Sequence, residues 1–218
     1  MNSLAIKTRR SWLIGGVIGA WAVGTGGAFW SLEAQYLRPV ARPRGAAVAQ
    51  PDLRPKPPIT FLTTTKGIVD LNSPGGVTVL NFWNAHCPCS RYMEAHVSQL
   101  QKQYEAQGVR FVTIVEGDAG LDSSEDLIAA WRGRGGGEAA ADPDGRIARS
   151  FGVWAAPAAA IVDRSGHMSY VGAYNAARFC DDPQTAWAAQ ALDAVVRGAK
   201  PTRAKSLFFG CQILSRPR

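Results

Sequence analysis

The sequence predicts a mixed α/β domain: a central sheet covered by helices on both faces, preceded by one N-terminal transmembrane helix. Three observations carry this. Strand-like apolar runs alternate with stretches of helical period between residues 58 and 197. Ser11 to Trp30 holds no charged residue. Finally, the net charge of +7 sits at the chain ends. Residues 1–57 carry +6 (eight Lys/Arg, two acids), 58–197 carry −4 (eleven, fifteen) and 198–218 carry +5 (five, none). A nucleic-acid binder needs a basic patch on a folded face, so no nucleic-acid partner is expected. Basic ends near a bilayer act as topology signals and contacts to anionic lipid.

Residues 1–10, with Lys7, Arg9 and Arg10, form a basic cytoplasmic N-terminus. Residues 11–30 form the span: twenty helical residues reach about 30 Å, the hydrocarbon thickness. Trp12 and Trp30 stand at its ends, where indoles favour the interface. Ala20-Trp21-Ala22 offers a signal-peptidase-like site, but cleavage there would leave an apolar new terminus, so an uncleaved anchor is favoured. Arg38, Arg42 and Arg44 beyond the span weaken the charge asymmetry. Gly15 and Gly19 form a G-x-x-x-G, a spacing common in membrane helices generally. Either reading exports the rest of the chain, and the expected location is the inner membrane, single-pass, with the domain on the periplasmic side. Residues 31–57 contain R-P-V-A-R-P-R and P-D-L-R-P-K-P-P, a semi-rigid linker.

The domain of residues 58–197 follows. Val77–Trp83 is a strand buried on both faces. A helix spans Cys89 to Ala106, with Met93, Val97, Leu100 and Tyr104 as its core face. Arg110–Val115 is a second buried strand. A helix covers Ser124 to Arg132, ended by the glycines of Arg132–Gly137. That stretch lacks the Lys-Ser/Thr ending of a phosphate loop. Glu138–Ala141 is a short strand and Pro143–Phe151 a short helix. Ala158–Asp163 and Arg164–Gly172 form a hairpin around R-S-G. Gln184–Arg197 is a last helix, and residues 198–218 form a basic, mobile tail holding Cys211.

The chemistry centres on H-C-P-C-S, residues 86–90. The surrounding L-N-F-W-N-A-H-C-P-C, residues 80–89, resembles the strand-to-helix junction of thioredoxin-like proteins. More closely it resembles the membrane-anchored redoxin and thioredoxin branch related to the peroxiredoxins of the alkyl hydroperoxide reductase and thiol-specific antioxidant type. W-A-A-P, Trp154 to Pro157, matches the place where that family keeps a cis-proline against its cysteines. F-F-G-C-Q-I, residues 208–213, resembles a cysteine-bearing tail of some redoxin-like proteins. The resemblance implies a thioredoxin-like fold, thiol–disulfide exchange with protein disulfides or thiols, and no cofactor. It also implies a cis bond at Pro157, whose neighbour Ala156 would pair with a substrate strand. Two departures stand out. Ser90 occupies the family's resolving-cysteine position, and Asn81 stands where many members bury a carboxylate.

Physical chemistry gives Cys87 the nucleophile's role. At a helix start it faces free backbone N–H groups and the positive dipole end, which favour thiolate below the free pKa of about 8.5. Pro88 suits that first turn, and His86 can take the thiol proton or pair with the thiolate. Cys89 lies about 200° around the helix from Cys87, so their direct disulfide needs distortion. Cys89 or Cys211 is the expected resolving thiol, with Cys180 a further candidate. Four cysteines allow three complete pairings, among which the sequence does not choose. Peroxide reduction is an alternative, lowered by Asn84 where a peroxiredoxin-type Thr-x-x-Cys would need Thr. Another is a Cu(I)-binding chaperone using Cys87, Cys89 and His86, with zinc less favoured. His96 reads as structural and His167 as exposed. Oligomeric state is not legible in the chain.

Overall fold

The computed structural model describes residues 39–40 and 56–213, apart from 73–74, 119, 135 and 180–181. The expected span and Cys180 lie outside the described residues, as does nearly all of the linker. Among the described residues no helix is long and apolar enough to cross a membrane.

The domain opens with a hairpin absent from the sequence expectation, β1 (Phe61–Thr64) and β2 (Gly67–Asp70). Each strand is four residues long, too short for its alternation to stand out. Leu62 and Val69 point inward while Phe61 and Ile68 stay exposed.

Strand β3 (Thr78–Asn84) is buried along its whole length, as its β-branched and aromatic run requires. Helix α1 (Pro88–Glu105) follows, with Cys87 as N-cap and Pro88 in the first turn. Its buried face is Cys89, Met93, Val97, Leu100 and Tyr104, spaced as predicted. Strand β4 (Arg110–Glu116) runs parallel to β3. Helix α2 (Ser124–Gly133) starts in a capping box between Ser123 and Asp126. Strand β5 (Ala139–Asp142) pairs parallel with β4. The Asp142 carboxylate then accepts from the Ile147 and Ala148 N–H groups, each at 2.9 Å, and so starts α3 (Arg146–Ser150).

Strand β6 (Ala155–Ala156) precedes a cis Ala156–Pro157 bond. Strands β7 (Ala158–Val162) and β8 (Met168–Gly172) form the predicted hairpin, and β7 lies antiparallel to β3. The expected last helix is divided. A 3-10 turn at Pro183–Thr185, capped by Asp182, precedes α4 (Trp187–Val196). Strand β9 (Cys211–Gln212) is the last described element and pairs antiparallel with β6.

The sheet order is β5-β4-β3-β7-β8. Strand alternation sends Val77, Val79 and Ile161 to one face, where α1 and α4 cover them. Trp83 and Val115 meet Leu127 of α2. On the other face Leu80, Phe82, Val112 and Ile114 pack against β1, β2, α3 and the tail. This second face is thus closed mainly by the hairpin and tail, where the sequence predicted helices.

The tail is not a loose appendage. Val171 and Lys205 form a parallel bridge along β8, Phe208 is 1% exposed, and its ring packs against Trp154 at a tilt of 55°, centroids 4.5 Å apart. Val40 from the expected linker is seated there too. Its N–H donates to the Phe208 carbonyl at 2.8 Å, and its carbonyl accepts from Trp154 Nε1 at 3.1 Å. The folded unit therefore extends past residue 197, because the tail's apolar residues supply core that the domain otherwise lacks.

Candidate active site

Strand β3 delivers the chain to the sheet's C-terminal edge, and residues 85–87 turn it into α1. Ser90 is buried at this junction and accepts from the Asn84 N–H at 3.2 Å. Its hydroxyl holds strand to helix, in the position where the resemblance expected a resolving thiol. The Asn84 side chain in turn accepts from the His86 N–H at 2.9 Å.

The Cys87 sulfur is bonded to Cys211, 124 residues away, with Cα atoms 5.8 Å apart. It also lies 3.5 Å from the Ala156 carbonyl oxygen, beside cis Pro157. Three features named separately from the sequence, the helix-start cysteine, the proline loop and the tail cysteine, therefore meet at one point. The edge of Ala155–Ala156, expected to receive a substrate strand, is occupied by β9 of the chain itself. Gly210 permits this approach. A Cβ there would run into the Ala156 carbonyl oxygen and reach Pro157 Cδ at 3.1 Å.

The attacking role that the sequence gives Cys87 requires its sulfur within reach of solvent. With the tail seated it is 1% exposed, whereas Cys211 is partly exposed. Pro88 is exposed, and Ala156 and Pro157 are buried. Cys89 is a buried free thiol, and burial pushes its pKa up while Arg178 pulls the other way. The sulfurs of Cys87, Cys89 and Cys211 all lie within 4.8 Å of one another. His86 stands outside this group. Its ring Nε2 lies 2.9 Å from Asp122 Oδ2, on a side chain 52% exposed. His167 is exposed, as expected. His96 is half-buried and meets the Tyr174 ring edge-on.

Asn81 is locked in a neutral network: it accepts from the Tyr174 hydroxyl at 2.8 Å and donates to Thr113 at 3.2 Å. The buried acid near the junction is instead Glu116, opposite Asn84 across the β3–β4 pair. Burial, with Asp142 adding, holds its carboxyl well above the usual carboxylate range. Sequence reading passed over Glu116 because it ends an apolar run and has no motif around it. It also passed over Gly210, for which the adjacent pair Gly-Cys inside an apolar stretch was the available signal.

A family model described as a domain of unknown function, DUF6436, matches residues 60–213. The chain belongs to the DUF6436 family. The match includes the tail through Ile213, in keeping with the tail's place in the core. No curated protein matches this DUF6436 chain. Solved structures do. An uncharacterized conserved protein from Geobacillus kaustophilus is 25% identical, with a TM-score of 0.63 over 77% of this chain and 94% of its own. A hypothetical protein from Sinorhizobium meliloti 1021 is 20% identical, with a TM-score of 0.65 over 78% and 98%. A protein assigned as the thiol:disulfide interchange protein DsbE from Chlorobium tepidum is 25% identical, with a TM-score of 0.51 over 67% and 96%. The DUF6436 chain thus has a thioredoxin-like fold, and thiol–disulfide oxidoreductases are among its structural neighbours.

Proposed function

We propose that this protein is a thiol–disulfide oxidoreductase whose redox couple is Cys87 and Cys211. The observation that carries the reading is the Cys87–Cys211 disulfide set against cis Pro157, with β9 paired onto Ala155–Ala156. The likeness to a DsbE-assigned structure supports the same reaction class.

The steps follow from which sulfur faces outward. A partner's thiolate attacks the partly exposed Cys211 sulfur. The S–S bond breaks and its electron pair leaves on Cys87. Cys87 is the better leaving group, because the N-terminus of an 18-residue helix stabilises its thiolate. The partner's second thiol then attacks the mixed disulfide and frees Cys211, which takes up a proton. Two electrons and two protons pass from the partner dithiol to the protein, and the reverse steps reduce a partner disulfide. This gives Cys211 the outward role that the sequence reading assigned to Cys87, while Cys87 remains the activated sulfur.

Trapping tests the assignment. With disulfide-bonded insulin as substrate and a small dithiol as reductant, the protein should cycle, and both Cys87→Ser and Cys211→Ser should abolish turnover. With disulfide-bonded insulin and no dithiol present, the Cys211 thiolate of reduced Cys87→Ser should attack the insulin disulfide, expel one insulin thiolate and accumulate as a mixed disulfide, seen by mass mapping. Trapping on Cys87 alone would restore the original roles. A protein that exchanges with no thiol, but forms a Cys87 sulfenic acid with hydrogen peroxide, would be a peroxide reductase. We further propose that residues 11–30 tether the domain to the inner membrane with the site on the periplasmic side. The support is their uncharged length after a basic start. Resistance to alkaline carbonate extraction checks this, and release by carbonate would sink it.

A further inference from the structure

Disulfide exchange between Cys87 and Cys211 leaves Cys89 without a role. It is buried, reduced and within 4.8 Å of both partner sulfurs. We propose that the reduced site is a three-thiolate Cu(I) site, formed by Cys87, Cys89 and Cys211. The inference rests on the reading above in one respect, that the Cys87–Cys211 bond is reducible.

Geometry is the first support. Metal–thiolate bonds of about 2.3 Å set three sulfurs about 4 Å apart around a trigonal ion. Opening the disulfide lets two sulfurs separate to that distance, and the third already lies in range. The donors sit on two elements with defined positions: Cys87 and Cys89 at the start of α1, and Cys211 on β9.

Donor chemistry is the second support. The group is all sulfur, and among the described residues it includes no histidine or carboxylate. Soft thiolates select Cu(I), whereas structural zinc takes four ligands. His86 is turned away onto Asp122.

Charge balance is the third. Three thiolates on one Cu(I) carry two net negative charges. The N-terminus of α1, without an acid in its first turn, faces them.

The site therefore exists only in the reduced protein. Two electrons and two protons from a dithiol reductant open Cys87–Cys211, and oxidation of those thiols removes two of three ligands.

The test is anaerobic Cu(I) titration of the dithiol-reduced full chain, carrying Cys180→Ser to remove the remaining thiol, against a chromogenic Cu(I) chelator. One Cu(I) per chain is expected, with X-ray absorption showing three sulfur neighbours. The oxidised chain should take up none. Cys89→Ser should weaken binding by more than about 100-fold, beyond what outer-shell changes cause. The same variant should still form the Cys87–Cys211 disulfide on oxidation, which shows that it folds. His86→Ala should leave the affinity unchanged. Two-sulfur coordination indifferent to Cys89→Ser would overturn the proposal, as would a large loss in His86→Ala or preference for Zn(II). The insulin and trapping assays contain no copper, so failure of the exchange reading is registered separately.

Discussion

Gly210 shows how one residue sets the site. Its backbone passes so close to the Ala156 carbonyl that any side chain collides, and its φ of 156° suits glycine. We expect Gly210→Ala to unseat β9 while leaving the sheet intact. Cys87 should then become open to maleimide in the native fold, and air oxidation to the Cys87–Cys211 bond should slow. A variant with the wild type's alkylation pattern would refute this account. Ser90 and Asn81 make the opposite point. Both hold positions that a resemblance-based reading reserves for redox or proton-transfer groups. Both are spent on holding structure together, Ser90 at the strand–helix junction and Asn81 between Tyr174 and Thr113. Their identities were visible in the sequence, but their hydrogen bonds depend on partners up to 93 residues away.

Among elements, β3 and α1 were legible because their signals are local: a continuous β-prone run, and apolar residues three and four apart from Met93 to Tyr104. The tail was not. Its strand is two residues long, and its partner β6 is equally short. Neither has enough period to declare itself, so each exists only by pairing with the other. The tail's contribution is measurable. Truncation after residue 197 would remove the buried Phe208, Phe209 and Ile213 together with the disulfide. We expect that form to be strongly destabilised or unfolded. Phe208→Ala in the full chain should cost about 3–5 kcal/mol, as for other buried aromatics. Urea unfolding measures it, and a cost near zero would mean that the tail only rests on the surface.

At the scale of the whole molecule, the sheet brings Glu116 and Asp142 side by side at its buried edge, with both Glu116 oxygens lacking a hydrogen-bond partner. Burial raises both carboxyl groups, and only Asp142 is compensated, by the N–H groups of Ile147 and Ala148. Folded Glu116 keeps its proton where the unfolded chain has lost it, so the native state binds more protons and stability falls as pH rises. Lowering the pH from about 8 to about 5 should therefore raise Tm, and Glu116→Gln should flatten that slope and be more stable at the upper end. Equal slopes in the two proteins would sink the assignment. The sequence alone determined the succession along the chain of the central strands and the helices between them, the helix-start cysteine and Pro88 beside it. These depend on neighbours within a few residues, where periodicity and capping operate. Which sulfur bonds Cys87, what covers the second sheet face and what fills the Ala156 edge were decided only by tertiary structure. These contacts bring together segments far apart in the chain, Cys87 and Cys211 by 124 residues, and closing such loops is favoured by burial summed over the fold, not by any local pattern.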